Sequence, residues 1–370
     1  MPYFPAVDPI PLPAPVWLMK LLHIVTLALH FVAVEMLLGG LLLAVIFSLF
    51  RSSHSSQVVA RAIARRLTIV MTYVINLAVP PLLFAQVLYG RALYTSSILI
   101  GLYWISVIVL LILAYGLLYH FSARLAAGKS AWLSGLIAWL LAGSVARILS
   151  TNMTLMLRPE VWKQMYAASG MGAFVPMDDP TVTPRWLMML CGGLAIGGLW
   201  MIYLAGRSTF TIAEKNFLAG VGGKIAGLFG AAYLCAGLWA AAVQPQAVKE
   251  GLQTHPLYHY FGWAGYGWLA SVALLILFGL IIGFSKATKA WIGWVAVGIA
   301  VLIEASLAVY RDGVRDLTLL SKGYNVWDRV VVTNWSVVGI FLALFVGGLI
   351  VIGWLISVVA RARKTMEDAA

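Results

Sequence analysis

Nine long apolar runs, separated by short stretches that carry charges, organise the whole sequence. An α-helix needs roughly 20 mainly apolar residues to cross the hydrocarbon core of a bilayer, and the runs reach about that length or exceed it. We therefore expect an all-α integral membrane protein with its transmembrane helices arranged in bundles. The nine predicted spans are 16–50, 67–90, 96–120, 131–156, 185–206, 217–242, 261–284, 289–310 and 332–359.

The composition supports a polytopic membrane protein. Of the 370 residues, 62% are hydrophobic and only 10% are charged, and the mean hydropathy is +0.94. A soluble domain of this length needs far more polar surface. The net charge of +12 is explained by basic residues in short loops, so nucleic-acid binding is not expected. Cys191 and Cys235 lie in apolar runs and no CxxCH motif is present, which argues against disulfides and against c-type haem attachment.

The distribution of basic residues predicts the orientation. The loops on one side carry 13 Lys and Arg residues and those on the other side carry 9, with the strongest contrast in loop 51–66. By the positive-inside rule, the N-terminus lies outside and the C-terminus is cytoplasmic. A second outside loop is predicted at 311–331. We expect a single membrane domain. It begins with a proline-rich outside segment (1–15), which is not a signal peptide, and a four-helix bundle (16–156). An outside loop (157–184), five further helices (185–359) and a cytoplasmic tail (360–370) follow.

Five ionisable residues lie deep within the predicted spans, and His120 and Lys224 lie near span ends; the five are His23, His30, Glu35, Arg147 and Glu304. Such groups are costly in a bilayer and mark functional sites by default. His23 and His30 are seven residues apart, so they share one helix face at a separation of about 10 Å. They are suited to binding the iron of two haems, or to one ligand and one hydrogen-bonding histidine; hydrogen bonds between helices explain them equally well.

The two carboxylates of the spans leave several interpretations open. Glu304 is protonated, paired with Arg147 or a histidine, or bound to a metal. Glu35 pairs with Lys224 or is a neutral acid that faces the bundle. Of the two, Glu304 is the more informative, because it lies deep in the eighth predicted span.

Five stretches, in chain order, resemble the larger, haem-bearing subunit (subunit I) of cytochrome bd quinol oxidases. The first has the family's single His followed by Phe and a Leu-Gly pair, the second an Ile-Asn run with a Gln-X-X-X-Gly end, and the third closes on Asn, Met and Pro. The fourth is similar to the family's seventh helix, and the fifth has its buried Glu-Ala pair. They are HIVTLALHFVAVEMLLGGLLLAVI, VINLAVPPLLFAQVLYG, WLSGLIAWLLAGSVARILSTNMTLMLRPEVW, HPLYHYFGWAGYGWLASVALLILFGL and KAWIGWVAVGIAVLIEASLAVYRDGVRD.

The resemblance implies roles for particular residues. His30 matches the histidine that ligates one high-spin haem, and Glu304 matches the glutamate that serves the other. Arg315 lies near the place of the family's Gly-Arg-Gln-Pro-Trp motif, which is not intact. Met188 stands where the family has the histidine ligand of its low-spin haem, and the family's methionine ligand is missing from the seventh helix. The low-spin haem site is therefore either lost or rebuilt with His23, His255 or His259. Arg147, Arg311 and Arg315 are candidates for binding haem propionates.

The implied function is that of a haem b-containing electron-transfer subunit of a respiratory complex in the bacterial inner membrane. The resemblance implies one to three haems, with a modified high-spin haem among the candidates, and a quinone as a further ligand. Expected partners are a second bd-like membrane subunit, c-type cytochromes, quinol and membrane lipid. The third helix lacks the family's acidic residues, which argues against O2 reduction. The rival functions are a haem-free, quinol-interacting membrane anchor and a proton-coupled transporter or structural subunit.

Overall fold

The computed structural model describes residue 4 and residues 11–50, 53–176 and 178–368, with side chains beyond residue 351 described only in part. Within this part the regular secondary structure is α-helical, apart from two short 3-10 helices and one isolated β-bridge. The helices are α1 Val16–Leu49, α2 His54–Leu99, α3 Gly101–Ala126, α4 Trp132–Leu155, α5 Trp162–Ala168, α6 Val182–Ala205, α7 Ile212–Ala242, α8 Gln246–Thr254, α9 His259–Ser285, α10 Ala290–Ser321 and α11 Trp335–Asp368.

Eight of these helices are long and apolar enough to span a membrane, namely α1 to α4, α6, α7, α9 and α10. The ninth predicted span corresponds to α11, whose described apolar part is Trp335–Val351. The prediction of an all-α, multi-pass membrane protein is therefore confirmed. Successive spans alternate in direction. We call the end of the bundle at which α1 begins the upper end, and the opposite end, where α1 and α9 finish, the lower end.

Helix α1 is the central element, because it contacts α2, α4, α6 and α10. The predicted first bundle and the remaining helices therefore share α1 as a common wall. The contact with α6 is close enough to require glycine. A Cβ on Gly39 would collide with the backbone carbonyl of Gly193, so α1 cannot carry a larger residue at this position without moving away from α6.

The upper half of α2 is bent. Pro80 and Pro81 lack backbone N–H groups and interrupt the helical hydrogen bonds. Eight residues later, Tyr89 has non-helical dihedral angles (φ −121°, ψ 21°). The bend places the Tyr89 side chain in the protein interior, where it is completely buried.

The upper end contains more regular structure than expected. The predicted loop 157–184 contains a 3-10 turn and α5, and α10 continues to Ser321 although a loop was predicted from residue 311. The helix continues because its charged residues are buried and paired with α1, as described below. The N-terminal segment is tied down by Leu12, whose N–H donates to the Val330 carbonyl and whose carbonyl accepts from the Val332 N–H. Of the predicted segments 1–15 and 360–370, residues 1–3, 5–10 and 369–370 lie outside the described residues.

Candidate functional site

A cavity of about 1290 Å3 lies inside the helical bundle. It exceeds the roughly 300–1,000 Å3 of common small-ligand pockets. Most of its lining is apolar and comes from the spanning helices, while the polar lining comes mainly from α1, α6 and α10 and from the upper loops. The cavity therefore suits a large apolar ligand that also presents a few polar groups.

The antiparallel packing of α1 and α10 arranges the ionisable residues in levels. Because α1 runs downward and α10 upward, each later residue of α1 faces an earlier residue of α10. From the upper end inward, the facing pairs are Lys20 with Asp316, His23 with Arg315, Phe31 with Arg311, and Glu35 with Glu304. The sequence-predicted residues His23, His30, Glu304 and Arg315 are thus brought to one cavity.

His30 lies on the cavity wall between the levels of His23 and Glu35. Its Nδ1 atom is buried and has no hydrogen-bond partner in the described part of the chain, whereas the ring also approaches the backbone carbonyl of Val74. A buried ring nitrogen without a partner is costly. A ligand in the cavity that binds this nitrogen would remove the cost.

Glu304 and Glu35 form the deepest polar pair of the cavity. The two carboxyl groups are close enough for a hydrogen bond, and Glu304 is fully buried. Trp268 Nε1 donates to the Tyr233 hydroxyl (3.3 Å), and this hydroxyl donates to Glu304 Oε1 (3.4 Å). The Oε2 atoms of both carboxyl groups receive no hydrogen bond from the described residues. Two bare carboxylates would repel each other in an apolar wall, and the Arg311 guanidinium supplies a positive charge that acts on both.

Two guanidinium groups line the cavity without a carboxylate in direct contact. Arg185 donates to the hydroxyl groups of Thr154 (2.9 Å) and Thr181 (3.3 Å). Arg311 stacks over the Phe31 ring at 4.8 Å from its centroid. Among the described residues, no carboxylate oxygen lies within 4.0 Å of either guanidinium. Both are therefore available to a carboxylate-bearing ligand.

A buried charge network lies between the upper ends of α1 and α10, beside the cavity. Lys20 Nζ lies 2.6 Å from an oxygen of Asp312, 2.6 Å from one of Asp316 and 3.0 Å from the Tyr89 hydroxyl. The Tyr89 hydroxyl donates to Asp316 at 2.8 Å. Arg315 supplies the second positive charge, with Nη1 at 3.3 Å from Asp312. Two cations therefore balance two carboxylates, and the ammonium group donates hydrogen bonds to Asp316 and to the Tyr89 hydroxyl.

His23 is fixed by this network. Its Nε2 atom lies 2.7 Å from Arg315 Nη1, and its Nδ1 atom lies 3.0 Å from the Pro81 carbonyl oxygen. Because a guanidinium can only donate, Nε2 accepts and Nδ1 carries the proton. Neither nitrogen of His23 is free for iron in this arrangement, in contrast to Nδ1 of His30.

The other sequence-predicted candidates are dispersed. Met188 lines the cavity. Arg147 does not; its guanidinium lies over the Trp186 ring at 5.5 Å, and the proposed pairing of Arg147 with Glu304 is wrong, since Tyr233 and Glu35 occupy that place. The Lys224 alternative for Glu35 is also wrong, because Lys224 lies at the lower end over Phe284. His255 and His259 are outside the cavity lining, where His255 Nδ1 accepts the Leu257 N–H.

Ion pairs between loops border the upper mouth of the cavity. Arg158 binds the Asp178 carboxylate through two nitrogens (2.9 and 3.1 Å), and Lys322 pairs with Glu160 at 3.2 Å. The hydrogen bonds from Arg158 lower the pKa of Asp178. This contact therefore persists at neutral pH and weakens when the carboxyl group is protonated in acid.

Sequence reasoning missed Lys20, Tyr89, Asp312, Asp316 and Tyr233. The available signal was the i, i+4 spacing of Asp312 and Asp316, which places both carboxylates on one helix face. No group of three or more His, Cys, Asp or Glu side chains suited to a bare metal ion occurs among the described residues.

No protein-family model matches the sequence, and no curated protein sequence matches it either. A solved structure is similar in fold: the bd oxidase from Geobacillus thermodenitrificans superposes with a TM-score of 0.67 over 92% of this chain and 97% of that chain. The sequence identity is 11%. The chain therefore has a bd oxidase-like fold.

Proposed function

We propose that this chain is a haem b-containing electron-transfer subunit of a bd-like respiratory complex. One observation carries the proposal: a large apolar cavity combines an unpartnered His30 nitrogen, an unpartnered Glu304 oxygen and two guanidinium groups that touch no carboxylate. A flat apolar macrocycle with two carboxylates and a coordinating metal matches each of these features. The bd oxidase-like fold makes the match more specific.

His30 would hold one haem iron through its buried, unpartnered Nδ1 atom. Glu304 would serve a second iron, with Tyr233 holding its other oxygen. Arg185 and Arg311 would bind propionates, a role for which Arg147 is badly placed. Haem iron supplies one-electron transfer between its ferric and ferrous states.

The remaining residues would shape the cavity. The Lys20 network holds Arg315 and His23 at the upper wall, so we assign them to positioning and not to iron ligation. Met188 is retained as a candidate for a further contact with haem. The third helix, α3, lacks the acidic residues that the bd oxidase family has there. Glu35 of α1 instead provides a carboxyl group in the cavity.

The proposal extends to the cellular context. Because the chain has no c-type attachment motif, electrons would enter or leave through a second bd-like membrane subunit, a c-type cytochrome or a quinol. The upper end would face outward from a bacterial inner membrane, as the positive-inside rule predicts.

The visible spectrum of the purified protein tests the proposal. We expect a reduced-minus-oxidised difference spectrum of haem b, and a pyridine haemochrome assay that gives at least one haem per chain. Haem-free protein from haem-replete cells would contradict the proposal. Extraction of a quinone from such protein would support the haem-free anchor instead.

A further inference from the structure

Two lysines, Lys224 of α7 and Lys286 at the end of α9, pack at the lower end of the α7–α9 contact. A Cβ on Gly220 of α7 would lie 3.4 Å from Lys286 Cγ, and a Cβ on Gly283 of α9 would lie 3.1 Å from Lys224 Cγ. Each lysine stem therefore lies against a glycine of the opposite helix. This reciprocal packing holds the two stems on the same stretch of the interhelical groove.

The two ammonium groups carry positive charge that nothing in the described chain neutralises. Both side chains are exposed, and no carboxylate of the described residues lies within 4.0 Å of either nitrogen. Lys224 Nζ instead lies 5.6 Å from the ring centroid of Phe284, which is 74% exposed. Two positive charges attract an anion, and the exposed aromatic ring beside them can contact an apolar part of the same ligand.

Ordinary helix electrostatics explains only one of the lysines. Lys286 ends α9, where a cation interacts favourably with the helix dipole. Lys224 lies 12 residues after the start of α7, away from either terminus. Lys286 also has left-handed dihedral angles (φ 53°, ψ 34°), the single non-glycine case with positive φ in the described chain. Glycine normally occupies such a position, so the lysine side chain brings a benefit that offsets the strain.

The depth of the pair matches the headgroup region. Gly283, against which Lys224 packs, is two residues before the end of α9. A helix of 27 residues is about 40 Å long and exceeds the roughly 30 Å hydrocarbon core. Its last turn therefore reaches the polar interface, where lysines contact lipid phosphates.

We propose that Lys224 and Lys286 bind the phosphate group of an anionic phospholipid at the lower end of α7 and α9. The phosphodiester oxygens accept hydrogen bonds from both ammonium groups, and Phe284 packs beside the acyl chains. The exposed apolar surface of this face, which includes Leu228 and Ile281, favours a lipid over free phosphate. This proposal does not rest on the proposed haem function.

The test compares the full-length protein in lipid-free detergent micelles after addition of phosphatidylglycerol, phosphatidylcholine or inorganic phosphate. Melting temperature reports binding. We expect phosphatidylglycerol to raise it and the other two additions to leave it unchanged. The double variant Lys224→Gln/Lys286→Gln should need about tenfold more phosphatidylglycerol for the same shift. Lys129→Gln, an exposed lysine at the same end of the bundle, should behave as wild type.

A separate variant distinguishes loss of lipid binding from loss of fold stability. Lys286→Gly removes the charge and the left-handed strain together, so in lipid-free micelles it should melt no earlier than wild type, yet respond less to phosphatidylglycerol. An equal phosphatidylglycerol response in wild type and the double variant would overturn the proposal. An equal response to phosphatidylcholine or to inorganic phosphate would overturn it as well, the latter by showing a free-anion site.

Discussion

Replacing His30 with alanine should remove at least one haem per chain while the helical fold persists. Among the described residues, Nδ1 of His30 is the one histidine nitrogen that is buried and has no hydrogen-bond partner, and His30 lines the cavity. Alanine cannot coordinate iron, and the cavity is already large enough that its walls do not depend on the imidazole ring. The pyridine haemochrome assay on purified protein gives the haem-to-protein ratio.

Two comparisons separate ligation by His30 from a structural role. His120→Ala removes an exposed histidine of α3 that does not line the cavity, and it should keep the wild-type haem ratio. Imidazole added to His30→Ala together with haem should restore part of the wild-type spectrum, because it can occupy the vacated space and supply the nitrogen. Unchanged haem content in His30→Ala would exclude this ligand assignment.

Replacing Lys20 with methionine should lower the free energy of unfolding by about 3–5 kcal/mol, which is the usual cost of removing one partner from a buried ion pair. Lys20 is 3% exposed, and its ammonium group lies between two carboxylates. Without it, Asp312 and Asp316 face each other with only Arg315 to balance them. Unfolding by denaturing detergent, followed by tryptophan fluorescence, measures the loss.

Restoring the charge balance should recover part of the stability. Lys20→Met/Asp316→Asn leaves Asp312 paired with Arg315, so the double variant should be more stable than Lys20→Met alone. Lys163→Met, on the exposed surface of α5, should change stability by less than about 0.5 kcal/mol. Equal, small effects of Lys20→Met and Lys163→Met would show that the network does not stabilise the fold.

The apolar runs predicted every long helix, because length and hydropathy decide which segments can cross a bilayer. They failed where charge interrupts a run. Asp312 and Asp316 read as a loop, yet α10 continues through them because Lys20 of α1 neutralises both. Pairing between helices distant in sequence is not encoded in the hydropathy of either helix.

The candidate site was predicted only in part, because contacts between helices distant in sequence are not visible in the sequence pattern. His30 and Glu304 stand out individually as ionisable groups within apolar runs, and both lie on the cavity. His23 stands out equally, but its partners Arg315 and Pro81 come from other helices. Tyr233 and Trp268 gave no signal, since aromatic residues are common throughout the chain; only the packing of α7, α9 and α10 brings them to Glu304.

An experimental density map of the purified, haem-replete protein tests the central claim most directly. The proposed function predicts a porphyrin in the cavity between α1 and α10, with its iron bonded to His30 and its carboxylates at Arg185 and Arg311. A cavity occupied only by lipid, detergent or quinone, with His30 unligated, would contradict it.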